Sequence, residues 1–168
     1  MLNVLFLCTH NSARSIMAEA LLNKLGKGRF QAFSAGKSPA SAPDRLALKS
    51  LTKRGIEING LNSKLWNLYA QPGAPYMDAV ISVCDQDLQE ACPAWPNAPV
   101  VAQWPVFDPV IRRFRPIARR RAIREAFAEI EKRVAVLAAI PFETLDRDEL
   151  QRRLDALGQT NSFAPIPV

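Results

Sequence analysis

The stretch that decides the fold is Cys8-Thr9-His10-Asn11-Ser12-Ala13-Arg14-Ser15, in which an arginine stands six positions after a cysteine and precedes a serine. The apolar run 2–7 before it predicts a buried strand, and residues 15–22 after it predict the first turns of a helix. A loop between a strand and a helix N-terminus concentrates backbone N–H groups and the positive end of the helix dipole, which suits a tetrahedral oxyanion. Cys8, at the rim of this loop, is therefore predicted to be a nucleophile.

The side chains of the loop support this interpretation. Arg14 can grip two oxygens with its planar guanidinium, and the positive surroundings favour the thiolate form of Cys8. Ser15 can donate a hydrogen bond to the sulfur and cap the helix, and Asn11 can hold the loop by bonding to its backbone. The plainer alternative is a buried cysteine that ends a strand, with Arg14 on a solvated helix turn. The predicted oxyanion-binding residues are Thr9, His10, Asn11, Ser12, Ala13, Arg14 and Ser15.

Composition places the chain among ordinary globular proteins. Its 168 residues suit one domain with a sizeable core, and 48% are hydrophobic and 23% charged. No run approaches the roughly 20 apolar residues of a membrane span, and the N-terminus has no signal-peptide pattern. Three cysteines without an export signal indicate a reducing cytoplasm and reactive thiols. One histidine and no C-x-x-C pair give no zinc site, and no metal is predicted.

Basic residues give the chain a net charge of +6, and many of them fall between positions 112 and 124. Such a cluster can bind nucleic acid, but apart from Phe114 no aromatic residues accompany it. A solvated helix face that steers anionic substrates is the favoured interpretation. The cluster consists of Arg112, Arg113, Arg115, Arg119, Arg120, Arg121 and Arg124.

Periodicity predicts strands and helices that alternate along the chain. The predicted strands are 2–7, 30–35, 79–83 and 100–103; the predicted helices are 15–24, 43–54, 117–139 and one that opens near 146 and ends before Gly158, with a short helix possible at 63–66. Alternation of this kind predicts an α/β fold: a single three-layer domain with a four-stranded parallel sheet flanked by helices. The domain is expected to span 1–158, followed by a tail at 159–168.

The longest predicted helix carries one apolar stripe, which is interpreted as core and nothing more. The stripe is made of Ile123, Phe127, Ile130, Val134 and Leu137.

Two further cysteines lie in the polar segment Cys84–Cys92, directly after a predicted strand. Cys8 and Cys84 both follow strands, so the fold class places them at the same edge of the sheet. If residues 84–92 formed a helix, the two thiols would lie roughly 12 Å apart, too far for a disulfide unless the segment unwinds. A thiol relay is favoured over two ordinary cysteines because of the anion-binding Cys8. Asp108, in an Asp-Pro loop, could act as general acid, or the pair could be a plain turn.

Taken together, these motifs resemble a known family. The Cys-x5-Arg-Ser loop after the first strand and the late Asp108-Pro109 resemble the low-molecular-weight protein tyrosine phosphatases. Cys84 and Cys92, with Trp104 and the segment Phe142-Glu143-Thr144-Leu145-Asp146-Arg147, resemble more closely the arsenate reductases built on that phosphatase fold. The resemblance covers residues 2 to about 158.

The resemblance implies a reaction sequence. Cys8 attacks arsenate held by Arg14 and the loop amides, while Asp108 protonates the departing oxygen. Cys84 then attacks the Cys8–arsenic adduct, which releases arsenite, and Cys92 attacks Cys84, which leaves a Cys84–Cys92 disulfide for an external reductant. Ser15 would tune Cys8. No bound cofactor is implied, only an external thiol reductant: thioredoxin, or glutaredoxin with a small thiol.

The sequence departs from the family pattern at several positions. His10 stands where the phosphatases usually carry glycine, and Ala13 where many relatives carry cysteine. Some thioredoxin-coupled relatives bind potassium with residues similar to Asn11 and Glu19 and a later acidic residue, and here that acidic position is Lys64. Val110 after Asp108-Pro109 replaces the tyrosine usual in tyrosine phosphatases, which weakens the case for phosphotyrosine.

Three functions remain in competition at this point. The favoured one is a cytoplasmic arsenate reductase, with an arsenate or phosphate oxyanion as ligand and no membrane partner. The first alternative is a phosphatase that hydrolyses phosphotyrosine through a Cys8 phosphoenzyme, with Cys84 and Cys92 as bystanders. The second is a basic module that binds nucleic acid or protein, which the lack of aromatic residues other than Phe114 beside the basic cluster disfavours.

Overall fold

Four parallel strands and four helices make up the fold, in a computed structural model that describes residues 1–88, 91–110 and 115–159. The sheet order is β2-β1-β3-β4 with every pairing parallel, as the alternation predicted. Short 3₁₀ turns lie at Trp66–Tyr69 and Phe142–Thr144. The strands are β1 (Leu2–Cys8), β2 (Phe30–Gly36), β3 (Ala79–Ser82) and β4 (Val100–Gln103); the helices are α1 (Arg14–Leu25), α2 (Arg45–Thr52), α3 (Pro116–Ala139) and α4 (Arg147–Gln159).

The core surrounds the two central strands, β1 and β3. Val4, Leu5 and Phe6 are wholly inaccessible to solvent, as expected for a strand that helices cover on both faces. Helix α1 packs on β1 and β2 and contacts α2 and α3, whereas α4 packs on β4. The apolar stripe predicted on α3 is buried throughout, which confirms its assignment to the core. Among the described residues, no helix combines the length and the apolar character needed to cross a bilayer.

The predicted strands and the four main helices are present, but local details differ from the sequence predictions. Residues 63–66 do not form a helix: Leu65 pairs with Gly36 in an isolated parallel bridge, and the 3₁₀ turn begins only at Trp66. The segment that follows Cys84 is not helical over residues 85–88 either. The two-turn separation of Cys84 and Cys92 that a helix would impose therefore does not apply.

The basic cluster is partly engaged rather than simply solvated. Arg119 forms an ion pair with Asp44, and Arg121 pairs with Glu125 one turn along α3. Asp44 also caps α2 by accepting from the backbone N–H groups of Leu46 and Ala47. Arg112, Arg113 and Phe114, which belong to the same prediction, lie outside the described residues.

Helix α4 continues through Gly158 to Gln159, although the sequence predicted that Gly158 would follow its end. The glycine serves close packing instead: a Cβ at position 158 would lie 1.9 Å from the Gln103 carbonyl oxygen and 3.1 Å from Cδ1 of Trp104. The Trp104 indole N–H donates to the Leu154 carbonyl at 2.8 Å, and this hydrogen bond holds α4 against the end of β4. The predicted tail therefore begins too early at Gln159, and residues 160–168 lie outside the described residues.

Replacing Gly158 with alanine is expected to destabilise the fold. Alanine normally stabilises a helix relative to glycine, but here its methyl group would overlap a backbone oxygen that cannot move aside. We expect a loss of about 2 kcal/mol, or about 4–8 °C in melting temperature, measured by thermal unfolding. Gly73→Ala is the control, because a Cβ there meets nothing within 4 Å and adds only backbone strain. A higher melting temperature for Gly158→Ala would contradict this account of the packing.

Candidate active site

The loop between β1 and α1 wraps closely around the Cys8 sulfur. The Asn11 backbone N–H donates to Cys8 Sγ at 3.2 Å, and the Ser15 hydroxyl lies 2.9 Å from the same atom. Asn11 has a φ of +44°, a left-handed conformation that asparagine tolerates and that turns its N–H toward the sulfur. Gly36 makes room for the loop, since a Cβ there would lie 2.8 Å from the Thr9 carbonyl oxygen and 2.9 Å from Asn11 N.

A chain of hydrogen bonds leads from the Glu19 carboxylate to the Cys8 sulfur. Ser34 donates to the Glu19 carboxylate, and Asn11 Nδ2 donates both to Ser34 Oγ at 2.9 Å and to Ser15 Oγ at 2.8 Å. A thiolate sulfur can only accept, so with Cys8 ionised the Ser15 hydroxyl, which accepts from Asn11, donates its own hydrogen to Cys8 Sγ. A donor aimed at the sulfur stabilises the thiolate, which is the form that attacks.

The predicted contact of Ser15 with Cys8 Sγ is present, whereas its predicted role as a helix cap and the predicted role of Asn11 differ from the structure. Helix α1 begins at Arg14, and its N-cap is Ala13 without a side-chain hydrogen bond, so Ser15 lies inside the helix and does not cap it. The Asn11 side chain reaches out of the loop, where its Oδ1 accepts from the Lys64 backbone N–H at 2.7 Å. Ser63 Oγ donates to the Asn11 carbonyl at 2.7 Å, which gives the loop a second tie to this segment.

A nearly buried ion pair ends the hydrogen-bond chain. Lys64 Nζ lies 3.6 Å from Glu19 Oε2, and the two side chains are 16% and 12% exposed. Burial raises the pKa of Glu19, while the Lys64 ammonium and the Ser34 hydroxyl oppose that rise. Burial and the Glu19 charge raise the pKa of Tyr69 to about 12. Lys64 thus supplies the positive charge beside Glu19. Among the described residues, we find no group of three or more histidine, cysteine or acidic side chains that could hold a metal ion.

Arg14 is held at the loop by groups from two distant segments, around Asp85 and around residues 106–108. Its side chain is 4% exposed, and Nη1 donates to Asp85 Oδ1 and to the Val106 carbonyl, each at 2.9 Å. Nη2 lies 3.4 Å from Asp108 Oδ2. Burial lowers the pKa of Arg14, but the charges of Cys8, Asp108 and Cys84 and the hydrogen bond to Asp85 raise it, and the net change is upward.

Cys84 meets the loop through Thr9, the residue next to Cys8. Thr9 Oγ1 lies 3.2 Å from Cys84 Sγ, and the Cys84 thiol also donates to Asp85 Oδ1 at 3.8 Å. Cys8 and Cys84 are each 2% exposed and both are free thiols. Cys92 is half-buried and free, and burial together with the Asp87 carboxylate raises the pKa of its thiol. The structure thus brings Cys84 to the anion loop, at the sheet edge that the topology predicted.

Three predicted site residues remain: His10 and Ser12 lie in the anion loop, and Asp108 lies at its mouth, the opening beside Arg14. His10 is exposed, and its Nδ1 lies 3.1 Å from the Ser38 carbonyl oxygen, so it braces the outside of the loop. The Ser12 carbonyl accepts from the Asp44 backbone N–H at 2.8 Å. Asp108 lies at the mouth beside Arg14, and its Oδ1 accepts from Val110 N at 3.0 Å.

Sequence reasoning missed three groups that shape this site: Asp85, Ser34 and the Val106 carbonyl. Asp85 had one usable signal, because it directly follows Cys84 at the sheet edge where a buried arginine needs a counter-charge. Ser34 and Val106 had none, since the contacts of Ser34 depend on how β2 packs against α1 and the anion loop, and that of Val106 on how a distant loop folds over Arg14.

The family model for low molecular weight phosphotyrosine protein phosphatases matches residues 3–152. The chain belongs to that family. Its curated relatives include the glutaredoxin arsenate reductase of Synechocystis sp., which is 31% identical over 109 residues that cover 65% of this chain and 79% of the relative. The arsenate reductase of Halalkalibacterium halodurans is 29% identical over 135 residues, or 80% of this chain and 94% of the relative.

Solved structures of the family place the chain beside arsenate reductases as well. The arsenate reductase of Archaeoglobus fulgidus superposes with a TM-score of 0.64 and 30% identity, and the match covers 82% of this chain and 99% of that one. A thioredoxin-dependent arsenate reductase of Corynebacterium glutamicum gives a TM-score of 0.59 at 27% identity, covering 82% of this chain and 60% of that one. This member of the phosphatase family is therefore similar to its arsenate reductases in both sequence and fold.

Proposed function

We propose that this enzyme reduces arsenate to arsenite with its own thiols and an external thiol reductant. The observation that carries the proposal is the contact between Thr9 Oγ1 and Cys84 Sγ at 3.2 Å, which places a second buried thiol against the loop that holds Cys8. A phosphatase needs only one catalytic thiol, so Cys84 would have no catalytic role in it. Arsenate reduction requires two electrons, which two thiols supply when they form a disulfide.

The first step joins Cys8 to arsenic. The loop N–H groups and the free edge of the Arg14 guanidinium hold the oxyanion, and the Cys8 thiolate, stabilised by Asn11 N–H and Ser15, attacks arsenic. An arsenic–oxygen bond breaks, and Asp108 at the mouth protonates the departing oxygen, which leaves as water. The product is a thioester between Cys8 and pentavalent arsenic.

The second step reduces the arsenic. The Cys84 thiolate attacks Cys8 Sγ, and the sulfur–arsenic bond breaks with its electron pair passing to arsenic, which leaves as arsenite. The two sulfurs are oxidised to a Cys8–Cys84 disulfide. The Cys92 thiolate then attacks Cys84 and frees Cys8 as thiolate. Cys84 attacks first because it lies against the loop, and the raised pKa of Cys92 keeps that thiol protonated more of the time.

We propose a dithiol protein as the electron donor. Thioredoxin suits an internal Cys84–Cys92 disulfide, and glutaredoxin with a small thiol is the alternative. The names of two relatives, one glutaredoxin and one thioredoxin-dependent arsenate reductase, support a donor of this class. The cycle needs no bound cofactor, and it needs reduced thiols, which supports a place in the cytoplasm.

Disulfide mapping after a single turnover tests the proposal. The fully reduced enzyme is mixed with excess arsenate and no reductant, free thiols are blocked, and peptides are identified by mass spectrometry. We expect about one arsenite per chain and a Cys84–Cys92 disulfide in wild type, because the last exchange traps both oxidised sulfurs there. Phosphate in place of arsenate is the control and should leave three free thiols. Three free thiols after arsenate would refute the relay and favour the phosphatase alternative.

A further inference from the structure

The Asp85 carboxylate is shared between the oxyanion-binding arginine and the second thiol of the relay. Its Oδ1 accepts from Arg14 Nη1 at 2.9 Å and from the Cys84 thiol at 3.8 Å. Asp85 follows Cys84 directly, so neither residue can shift far without moving the other. The contact therefore joins the anion loop to the segment that carries Cys84.

Both terminal nitrogens of the Arg14 guanidinium already face acceptors. Nη1 has two hydrogens, and Asp85 and the Val106 carbonyl accept both. Asp108 lies 3.4 Å from Nη2, so two carboxylates face one cation before any oxyanion enters. The N–H groups left for an anion are on the Nε side of the fork.

An oxyanion in the loop would add a third negative charge around the same guanidinium. It would compete with Asp85 for the attraction of Arg14, which is 4% exposed, and would repel the Asp85 carboxylate, which is 39% exposed. Linkage makes this effect reciprocal: if Asp85 weakens anion binding, then the bound anion weakens the Asp85–Arg14 contact by the same factor.

We propose that Asp85 is a positioning residue that couples occupancy of the anion site to the freedom of Cys84. With the loop empty, the Asp85–Arg14 ion pair keeps Cys84 docked and its thiol hydrogen-bonded to Asp85. When the oxyanion binds, the ion pair weakens and residues 84–85 are released, so that Cys84 becomes reactive only after Cys8 has its substrate. This inference rests on the proposed role of Cys84 as the second thiol.

The test measures phosphate binding and Cys84 reactivity, not arsenate turnover. Wild type, Asp85→Asn and Asp87→Asn are titrated with inorganic phosphate, and the affinity is read from protection of Cys8 against iodoacetamide. The alkylation rate of Cys84 is followed by peptide mass spectrometry with and without saturating phosphate. Asp87→Asn is the matched control, because it removes the same charge from the same segment at a carboxylate that accepts from Gln103 Nε2 at 2.7 Å.

We expect Asp85→Asn to bind phosphate about 5-fold more tightly than wild type, at the low end of coupling between sites because the Asp85 side chain is 39% exposed. Phosphate should accelerate Cys84 alkylation in wild type by a similar factor. In Asp85→Asn, Cys84 should react at the faster rate without phosphate. Asp87→Asn should match wild type in both measurements, and Asp85→Ser should repeat the Asp85→Asn result.

Three results would overturn the proposal: phosphate binding to Asp85→Asn that is unchanged or weaker, a wild-type Cys84 rate that phosphate does not alter, or an equal effect of Asp87→Asn. Protection of Cys8 by phosphate shows that each variant retains a folded loop. If the coupling holds but disulfide mapping finds no Cys84–Cys92 bond, the proposed function fails and the coupling does not.

Discussion

Replacing Cys84 with serine is expected to lower arsenate reduction by about 10³-fold or more, the scale on which loss of a nucleophile acts. The Cys8–arsenic adduct can still form, but no thiol at the loop remains to attack Cys8 Sγ and transfer electrons to arsenic. Serine is nearly isosteric with cysteine, so it should keep the contact with Thr9 and fill the same buried position. Arsenite release with a saturating dithiol donor is the measurement.

Hydrolysis of a phenyl phosphate ester is the internal control for this variant. That reaction needs Cys8, Arg14 and Asp108, none of which is altered, so any phosphatase activity of wild type should persist in Cys84→Ser. Loss of both activities would mean that the loop itself has been damaged. Undiminished arsenate turnover would show that the second thiol comes from elsewhere.

Replacing Cys92 with serine is expected to stop the enzyme after one turnover. Cys84 can still release arsenite, but the resulting Cys8–Cys84 disulfide, buried at the loop, has no internal thiol to open it. We expect a burst of about one arsenite per chain, followed by steady-state turnover reduced to about 1% of wild type or less, as for the loss of a positioned nucleophile. A rapid-quench assay of arsenite measures the burst.

The disulfide that forms in Cys92→Ser, compared with that in wild type, is the control for this prediction. Peptide mapping of Cys92→Ser after the burst should find a Cys8–Cys84 disulfide, whereas wild type should carry Cys84–Cys92. Multiple turnovers by Cys92→Ser with a protein dithiol would contradict the relay, since the donor would then reach the first disulfide directly. In wild type, the exchange at Cys92 should slow as pH falls, because a raised pKa leaves less thiolate at lower pH.

The sheet and the anion loop could be predicted from sequence because their signals are local. The apolar run ending at Cys8, the helix after it and the stripe on α3 each show their period within one window. Parallel alternation then places Cys8 and Cys84 at the same edge. Topology thus places both thiols at one edge of the sheet, whereas their closeness depends on side-chain contacts such as that between Thr9 and Cys84.

Contacts between distant segments could not be predicted in the same way. Asp85 and Arg14 are 71 residues apart, and nothing in the polar segment after Cys84 shows which cation its carboxylate will meet. Gly158 gave a misleading local signal: glycine usually ends a helix, but here the tertiary approach of the Gln103 carbonyl requires a residue without a side chain. Ser15 was misassigned as a cap because the helix begins one residue earlier, at Arg14.

Helix α4 also binds hydrogen-bond acceptors along the outer edge of the sheet at β4. β4 is an outer strand, and its Val101 carbonyl, which faces away from β3, accepts from Gln151 Nε2 at 2.7 Å. Arg147 donates in the same way to the carbonyls of Ala98 and Pro99, just before the strand. An exposed edge strand can pair with strands from other chains and lead to aggregation. By occupying these acceptors, the final helix keeps neighbouring molecules from extending the sheet at β4.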